Sequence, residues 1–404
     1  MSNNTTRLKR ALTLPMIIFY GIGTILGSGI YVLVGKVAEE AGIYAPLAFL
    51  VSATIAFFSG LSYAELASRY PEAAGEVTYV QKAFSSKGLS TVVGLAIVLS
   101  SILSTATVFN GFVGYLNEFV VVPKTLTILV LTLVLCGFVI WGIVQSAWLI
   151  MIITFVELAG ILIFIFVGGD SLFDNPQVVT EILSSSALGH WKGILGGAFI
   201  AFFAFIGFED LVNEAEETVN PRKNIPIAIV ISLVVLTVVY FLVSLIAVSA
   251  MPLEELIQSD APLADAIKSK SAKFASVVSL VGLIASLNGA AVQFILGSRI
   301  IYGMGKKQMM PEFLSKVNAI TQTPITATLL VAFSTYLIAV NFKIKELAEY
   351  TDFVLITVFT LINLSLWVLK IKKPRGSEQI RYSIAIPVIG FFLSLIFLAS
   401  YVLM

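Results

Sequence analysis

The sequence predicts an all-α membrane protein with many spans, and three observations carry that prediction. Of the 404 residues, 58% belong to the AVILMFWYC set and only 12% are charged. Soluble domains average about 45–50% apolar and about 25% charged residues, so a soluble fold would have too few charges for its surface. Second, the apolar residues come in runs of about 20, the length that crosses a bilayer as a helix. Outer-membrane barrels instead show alternating ten-residue segments. Third, charges and prolines fall mainly between these runs.

The remaining bulk numbers exclude several functions. A net charge of +1 gives no reason to expect nucleic acid or an acidic partner. The single cysteine, Cys136, lies inside an apolar run, which excludes an internal disulfide and a multi-cysteine metal site. The single histidine, His190, falls in a loop and leaves too little for a haem, a zinc site or a buried catalytic dyad. No metal and no cofactor is expected.

Eleven spans follow in order, helical because a lipid-exposed backbone must satisfy its own hydrogen bonds. A short basic start, Arg7-Leu8-Lys9-Arg10, precedes span 1 (14–36). No small-residue cleavage pattern follows, so span 1 reads as a retained helix rather than a removed signal. Span 2 (44–67) carries Glu65 with Arg69 four residues on, the spacing of a local ion pair. Spans 3 (89–116) and 4 (125–143) are plainly apolar. Span 5 (146–168) carries Glu157 near its middle. Spans 6 (193–215) and 7 (226–249) follow a more polar segment, 169–192. A second such segment, 250–273, precedes span 8 (274–302), and both segments suit short helices over one mouth of the bundle. Span 8 carries Ser286 and Asn288, whose oxygens suit helix–helix hydrogen bonds or a sodium ion. Spans 9 (323–341), 10 (346–369) and 11 (382–404) complete the series.

Orientation follows from the basic residues. With the N-terminus in the cytoplasm, 17 of the 25 Lys and Arg residues lie inside, among them Arg69, Lys82, Arg222, Lys306 and Lys370. The positive-inside rule then places the N-terminus in the cytoplasm and, after eleven spans, the C-terminus outside.

Two spans carry signs of interruption. Span 1 reads Gly21-Ile22-Gly23-Thr24-Ile25-Leu26-Gly27-Ser28-Gly29, and each glycine costs a helix about 1 kcal/mol relative to alanine. Gly23 and Gly27 also match a close helix-crossing pattern, so packing and a break at Gly27-Ser28-Gly29 are both open readings. A break there frees backbone N–H groups for a carboxylate and carbonyls for an ammonium. Span 6 reads Phe203-Ala204-Phe205-Ile206-Gly207-Phe208-Glu209-Asp210, an aromatic run with one glycine and two carboxylates well inside an apolar stretch. The alternative is that the span ends early and both acids, Asp210 above all, lie in headgroup water, with most of the phenylalanines packing against lipid or core. Spans 1 and 6 lie five apart, so the chain divides into 14–168, 193–369 and one additional helix, 382–404. Because five is odd, the second half enters from the opposite side. Interrupted spans in corresponding positions of inverted halves point to a midplane binding site.

Glu157, in Thr154-Phe155-Val156-Glu157-Leu158, has no basic residue within a helical turn. Buried acids of this kind are expensive and mark ion or proton pathways, and Glu157 is the preferred proton carrier. The alternative is a hydrogen-bonded structural Glu.

At this point the residues resemble the amino acid–polyamine–organocation superfamily of transporters, particularly its cationic-amino-acid-transporter-like members and bacterial amino acid permeases. The resemblance rests on Gly23 through Tyr31, on Leu61-Ser62-Tyr63-Ala64-Glu65-Leu66 with Arg69, Pro71 and Gly75-Glu76, and on Phe203 through Glu209 with Asn220-Pro221. Ser298 through Met304, Met310-Pro311 and Thr323-Pro324 extend it. It implies a five-plus-five inverted repeat that alternates access to one central site in a bacterial inner or plasma membrane. On that pattern an amino acid carboxylate lies against Gly27, Ser28 and Gly29. Its amino group lies against carbonyls near Ile22, Ile25, Phe203 and Ile206, with Gly207 at the break. Phe203 and Phe208 match gate positions, and Glu209 matches an acid linked to proton-dependent gating.

The sequence departs from the pattern twice. Some relatives carry a lysine where Glu157 stands, so a fixed cation there is not expected. Many also have a twelfth span, and the dimer interface such a span provides is not expected here. The reading is a proton-coupled amino acid symporter in a lipid bilayer, with amino acid/amine exchange or a non-transporting sensor as alternatives. An intramembrane hydrolase built on Ser28 would need a base, and His190 lies in a loop.

Overall fold

The structure is a computed structural model that describes residues 12–27, 29–71, 75–141, 147–318, 321, 323–372 and 378–403. Its helices are α1 (Leu14–Leu26), α2 (Gly29–Ala41), α3 (Ala45–Arg69), α4 (Gly75–Phe84), α5 (Lys87–Asn117), α6 (Lys124–Trp141) and α7 (Ala147–Gly168). After these come α8 (Ser171–Asp174), α9 (Pro176–Ile182), α10 (Trp191–Ala201), α11 (Pro221–Ala250), α12 (Leu253–Gln258) and α13 (Pro262–Lys268). The chain closes with α14 (Ala272–Lys306), α15 (Ile325–Asn341), α16 (Ile344–Lys372) and α17 (Ala385–Leu403). Among the described residues there is no sheet, only one isolated bridge between Leu12 and Thr218.

Among the described residues, nine helical runs are long and apolar enough to cross a membrane. Two more apolar helices, Leu14–Leu26 and Ile325–Asn341, are shorter. The run Gly29–Arg69 turns at Gly42, where φ is +60°, and so contains both α2 and α3. The molecule is an integral, multi-pass membrane protein. Its lipid-facing helices show the expected outward apolar side chains, such as Leu133 on α6, Phe155 on α7, Phe333 on α15 and Ile396 on α17, all exposed.

The polar segments 169–192 and 250–273 fold into the short helices α8, α9, α12 and α13. One helix was not anticipated. Gly75–Phe84 forms α4, with Glu76 in its first turn, where the positive end of the helix dipole favours an acid. It is ten residues long, too short to stand out from a loop by periodicity.

Side-chain contacts tie the two ends of the bundle differently. At the end bearing the N-terminus, the Leu12 N–H donates to the Glu217 carbonyl (3.0 Å) and the Val219 N–H to the Leu12 carbonyl (2.9 Å). The Tyr20 hydroxyl donates to Glu214 (3.2 Å) and the Ser68 hydroxyl to the Arg222 carbonyl (2.7 Å). The anticipated Glu65–Arg69 pair is present at 2.7 Å and fully buried. It is part of a larger network, with Lys370 on Glu65 (2.7 Å) and Glu378 on Arg69 (3.4 Å). At the opposite end a vestibule of about 830 Å³ opens, bordered by Lys36, Glu39, Asn110, Asp260, Lys345 and Glu349 among others. Among the described residues, one end is cross-linked by these contacts and the other carries the vestibule.

Candidate functional site

Both suspect spans are interrupted. The helix of span 1 stops at Leu26 and restarts at Gly29, and between them Gly27 has φ +20° and ψ −149°. Gly23 and Gly27 divide the two readings of their spacing. An added methyl at Gly23 would strike Thr154 of α7, so Gly23 is the packing glycine. At Gly27 nothing lies closer than 3.9 Å, so Gly27 belongs to the break. Ser28 lies outside the described residues.

Span 6 loosens in steps. Helix α10 ends at Ala201, Phe202–Phe205 form a 3₁₀ turn, Ile206 is extended and Gly207 has φ +120°. A second 3₁₀ segment, Glu209–Glu216, follows. The left-handed backbone at Gly207 is open to glycine and strained for other residues. A Cβ there would also lie 2.6 Å from the Thr24 carbonyl oxygen. The two breaks therefore touch backbone to backbone. The Thr24 hydroxyl reaches the Gly207 carbonyl at 3.2 Å and the Gly21 carbonyl at 3.1 Å. Across the second half of span 1, Gly29 lies flat on Ala204, whose Cα would be 2.7 Å from an added Cβ.

A cavity of about 30 Å³ lies where the breaks meet, lined by Thr24, Ile25, Gly27, Gly29, Phe203, Ile206, Ser104, Val108, Gly289 and Gln293. That volume holds one or two waters. Of the residues expected at the site, Ile25, Gly27, Gly29, Phe203 and Ile206 are on its wall. Ile22 is buried in α1 outside the lining, and Gly207 stands behind Thr24. The Ile25 carbonyl accepts a hydrogen bond from the Tyr240 hydroxyl (3.0 Å), and the Phe203 carbonyl accepts one from the Ile206 N–H (3.2 Å). Each oxygen has a second lone pair. Helix α1 ends and α2 begins at this cavity, and Phe203 and Ile206 of the second break line it with Ile25, Gly27 and Gly29.

Phe203 and Phe208 separate. Phe203 faces the cavity, whereas Phe208 packs edge-on against Tyr63 (ring centroids 5.5 Å apart) and beside Phe359 (5.1 Å), away from the lining.

The carboxylates form two groups. Glu157 is fully buried, and one oxygen accepts from Asn288 Nδ2 (3.1 Å) while the other, Oε2, has no partner. The Glu157 backbone carbonyl accepts from the Tyr31 hydroxyl (2.9 Å), which ties α7 to the second half of span 1. On the other side of the cavity, Glu209 Oε2 accepts the Gly207 N–H (2.9 Å), so this acid braces the break itself. Its neighbour Asp210 accepts from Gln293 Nε2 (3.2 Å), and Gln293 lines the cavity. Glu76 of α4 is buried close enough to Glu209 to feel its charge, and burial pushes its carboxyl up to about 8. Among the described residues, no group of three His, Cys, Asp or Glu side chains is placed to hold a metal ion. His190 stacks on Tyr44 with ring centroids 4.8 Å apart.

Sequence reasoning missed Thr24, Ser104, Val108, Gly289 and Gln293. Two signals point to them in hindsight. Span 3 carries a run of hydroxyls from Ser100 to Thr107, and span 8 places Gln293 about one turn beyond Asn288-Gly289. Isolated polar residues in spans mostly make interhelical hydrogen bonds, which masks the few that face a cavity.

Comparison with known proteins identifies the family. A family model for amino acid permeases matches residues 12–404. The chain is 29% identical over 392 residues to "Cationic amino acid transporter 3, mitochondrial" of Arabidopsis thaliana, covering 91% of this chain and 63% of the relative. It is 27% identical over 389 residues to "Branched-chain amino acid permease BcaP" of Bacillus subtilis (strain 168), covering 91% of this chain and 82% of that protein. With human "Cationic amino acid transporter 4" it shares 26% over 395 residues, 92% of this chain and 61% of the relative. The chain thus spans less than two thirds of the length of the cationic amino acid transporters it matches. A match over nearly the whole chain, on a helical bundle with two broken spans meeting at one cavity, places this protein in the amino acid permease family.

Proposed function

We propose that this protein is a secondary active transporter that moves amino acids across the membrane by alternating access, with protons as the coupling ion. One observation carries the reading: two interrupted helices, five spans apart, meet through Thr24 and Gly207 and line the same cavity. Broken helices at corresponding positions of a repeat form the midplane sites of secondary transporters.

The packing supports a five-plus-five inverted repeat made of 14–168 and 193–369, with 382–404 added. Helix α1 lies on α11 and α7, while α10 lies on α3 and α16. Helix α14 lies on α7, and α5 lies on α16. Exchanging each span for its counterpart in the other half, five spans away, turns each first pairing into the second.

In this reading the substrate carboxylate sits on the amides at Gly27, Ser28 and Gly29, and its ammonium faces carbonyls at Ile22, Ile25, Phe203 and Ile206. Phe203 is the gate on the cavity wall, and Phe208 acts behind it. Glu157 and Glu209 exchange the coupling proton. The N-terminus is cytoplasmic and the C-terminus outside, so the vestibule faces outward. The relatives' names divide between cationic and branched-chain amino acids. The cavity lining favours the second class. Ile25, Val108, Phe203 and Ile206 dominate it, and no carboxylate is among the lining residues to pair with a cationic side chain.

The test is a thermal-shift screen of the purified protein against the common amino acids, followed by uptake into liposomes. A ligand that binds the native state raises its melting midpoint by mass action. Aliphatic amino acids are expected to raise it, and an imposed proton gradient to drive their uptake. No shift with any amino acid and no uptake would overturn the reading. Uptake that needs a preloaded counter-substrate, and no proton gradient, would assign an exchanger instead.

A further inference from the structure

Asp352 lies on α16, the helix packed against Phe202–Phe205 at the second break. Its side chain is fully buried, the Phe203 backbone amide faces its carboxyl, and among the described residues no side chain hydrogen-bonds to either oxygen. Acids this deep in a membrane are costly and mark functional sites by default.

Three placements say which function. Asp352 lies beside the Phe203 backbone, and Phe203 lines the cavity. Glu349, one turn away on the same helix, borders the vestibule and accepts a hydrogen bond from the Tyr401 hydroxyl of α17 (3.1 Å). Glu157 lies on the fifth span of the other half, fully buried with one unpartnered oxygen, on the helix packed against α1 at the first break. Glu349 and Tyr401 are the titratable groups that interact with Asp352 among the described residues. Among the described residues, helices α3, α4, α5 and α10, which also pack on α16, add no charged group to the electrostatic neighbours of Asp352.

From this juxtaposition we propose that Asp352 is a second proton-carrying carboxyl, paired with Glu157 and loaded from the vestibule through Glu349. One proton moves: the O–H bond on Glu349 breaks as the O–H bond on Asp352 forms. Asp352 is left neutral, and Glu349 is left as an anion that takes a proton from hydronium in the vestibule, releasing water. A neutral Asp352 needs no cationic partner, which fits a pocket that offers none. The inference rests on the transporter reading above, but its test requires no transported substrate.

That test is infrared titration of the purified protein in lipid, without amino acid, stepping pH through the neutral range. The wild type is expected to show a carboxyl band that converts between acid and carboxylate forms and is missing from Asp352→Asn. Asp352→Glu, which keeps the carboxyl, is expected to retain a shifted band. Glu349→Gln is expected to keep the band while slowing its hydrogen–deuterium exchange by roughly 100-fold, the scale of a positioned proton donor. Identical titrations in wild type and Asp352→Asn would overturn the proposal. Unchanged exchange in Glu349→Gln would overturn the loading route. Should Asp352→Asn fail to fold, Asp352→Glu and Glu349→Gln decide the matter. Absence of amino acid uptake would count against the transporter reading and leave this titration intact.

Discussion

The Thr24 hydroxyl meets the Gly207 carbonyl at 3.2 Å although 183 positions separate the two residues. Each belongs to a helix that fails to run straight through the bundle, so one contact holds both failures in register. Backbone polar groups freed at a helix end need partners when no bulk water reaches them. Here each break supplies part of what the other lacks.

Gly207→Ala is therefore expected to separate the breaks. A non-glycine residue at φ +120° costs about 1–3 kcal/mol, and the added methyl also meets the Thr24 carbonyl at 2.6 Å. Melting of the purified variant should show a clear loss of stability, with uptake abolished. Gly42 is the control. Its φ is +60° but nothing lies within 4 Å of an added methyl, so Gly42→Ala should cost about 1–2 kcal/mol and spare uptake.

Glu157→Gln preserves an oxygen for Asn288 Nδ2 and removes the ionisable carboxyl. The variant should melt close to wild type and still equilibrate labelled amino acid in counterflow, while losing accumulation driven by a proton gradient. Glu157→Leu strands the Asn288 amide and should cost about 1–3 kcal/mol of stability. Retention of full gradient-driven accumulation in Glu157→Gln would remove Glu157 from the coupling machinery.

The two phenylalanines should respond differently. Phe208 fills an aromatic cluster with Tyr63 and Phe359, so Phe208→Ala should destabilise by about 3–5 kcal/mol, as large-to-small core changes do. Phe203 borders a cavity that is already open on one side. Phe203→Ala should raise the half-saturating substrate concentration severalfold, with a smaller fall in melting temperature. Concentration-dependent uptake and melting curves on the same preparations check both.

Glu76 gives a pH signature. Its carboxyl is at about 8 in the fold against an ordinary value of 4.5, because burial disfavours the charged form and the nearby Glu209 adds repulsion. The folded state thus binds this proton more tightly than the unfolded state. Its contribution is complete below about pH 4.5 and is lost as pH rises toward 8. Wild type should melt at lower temperature as pH increases across that window, and Glu76→Gln should show a shallower slope.

Much of this molecule was legible from residues alone. Apolar run lengths reveal the membrane-crossing helices, since a bilayer demands about 20 apolar residues per helix. Glycine density at 21–29 and the Phe-Gly-Glu sequence at 203–209 mark where helices fail. Buried acids such as Glu157 stand out because charge in an apolar run is rare.

The tertiary structure decided which side chains meet. Local sequence could not separate Gly23, which packs on Thr154, from Gly27, which breaks the helix, because the same spacing serves both roles. It could not assign Phe203 to the cavity and Phe208 to the Tyr63 cluster, because a 3₁₀ turn abandons the 3.6-residue period used to assign faces. Ser104 and Gln293 join the lining only because α5 and α14 pack beside the breaks. Asp352 lacks a side-chain partner because α16 buries it against the Phe203 backbone. Periodicity along one helix reports its own faces, and the neighbour each face meets is set by contacts far apart in the chain.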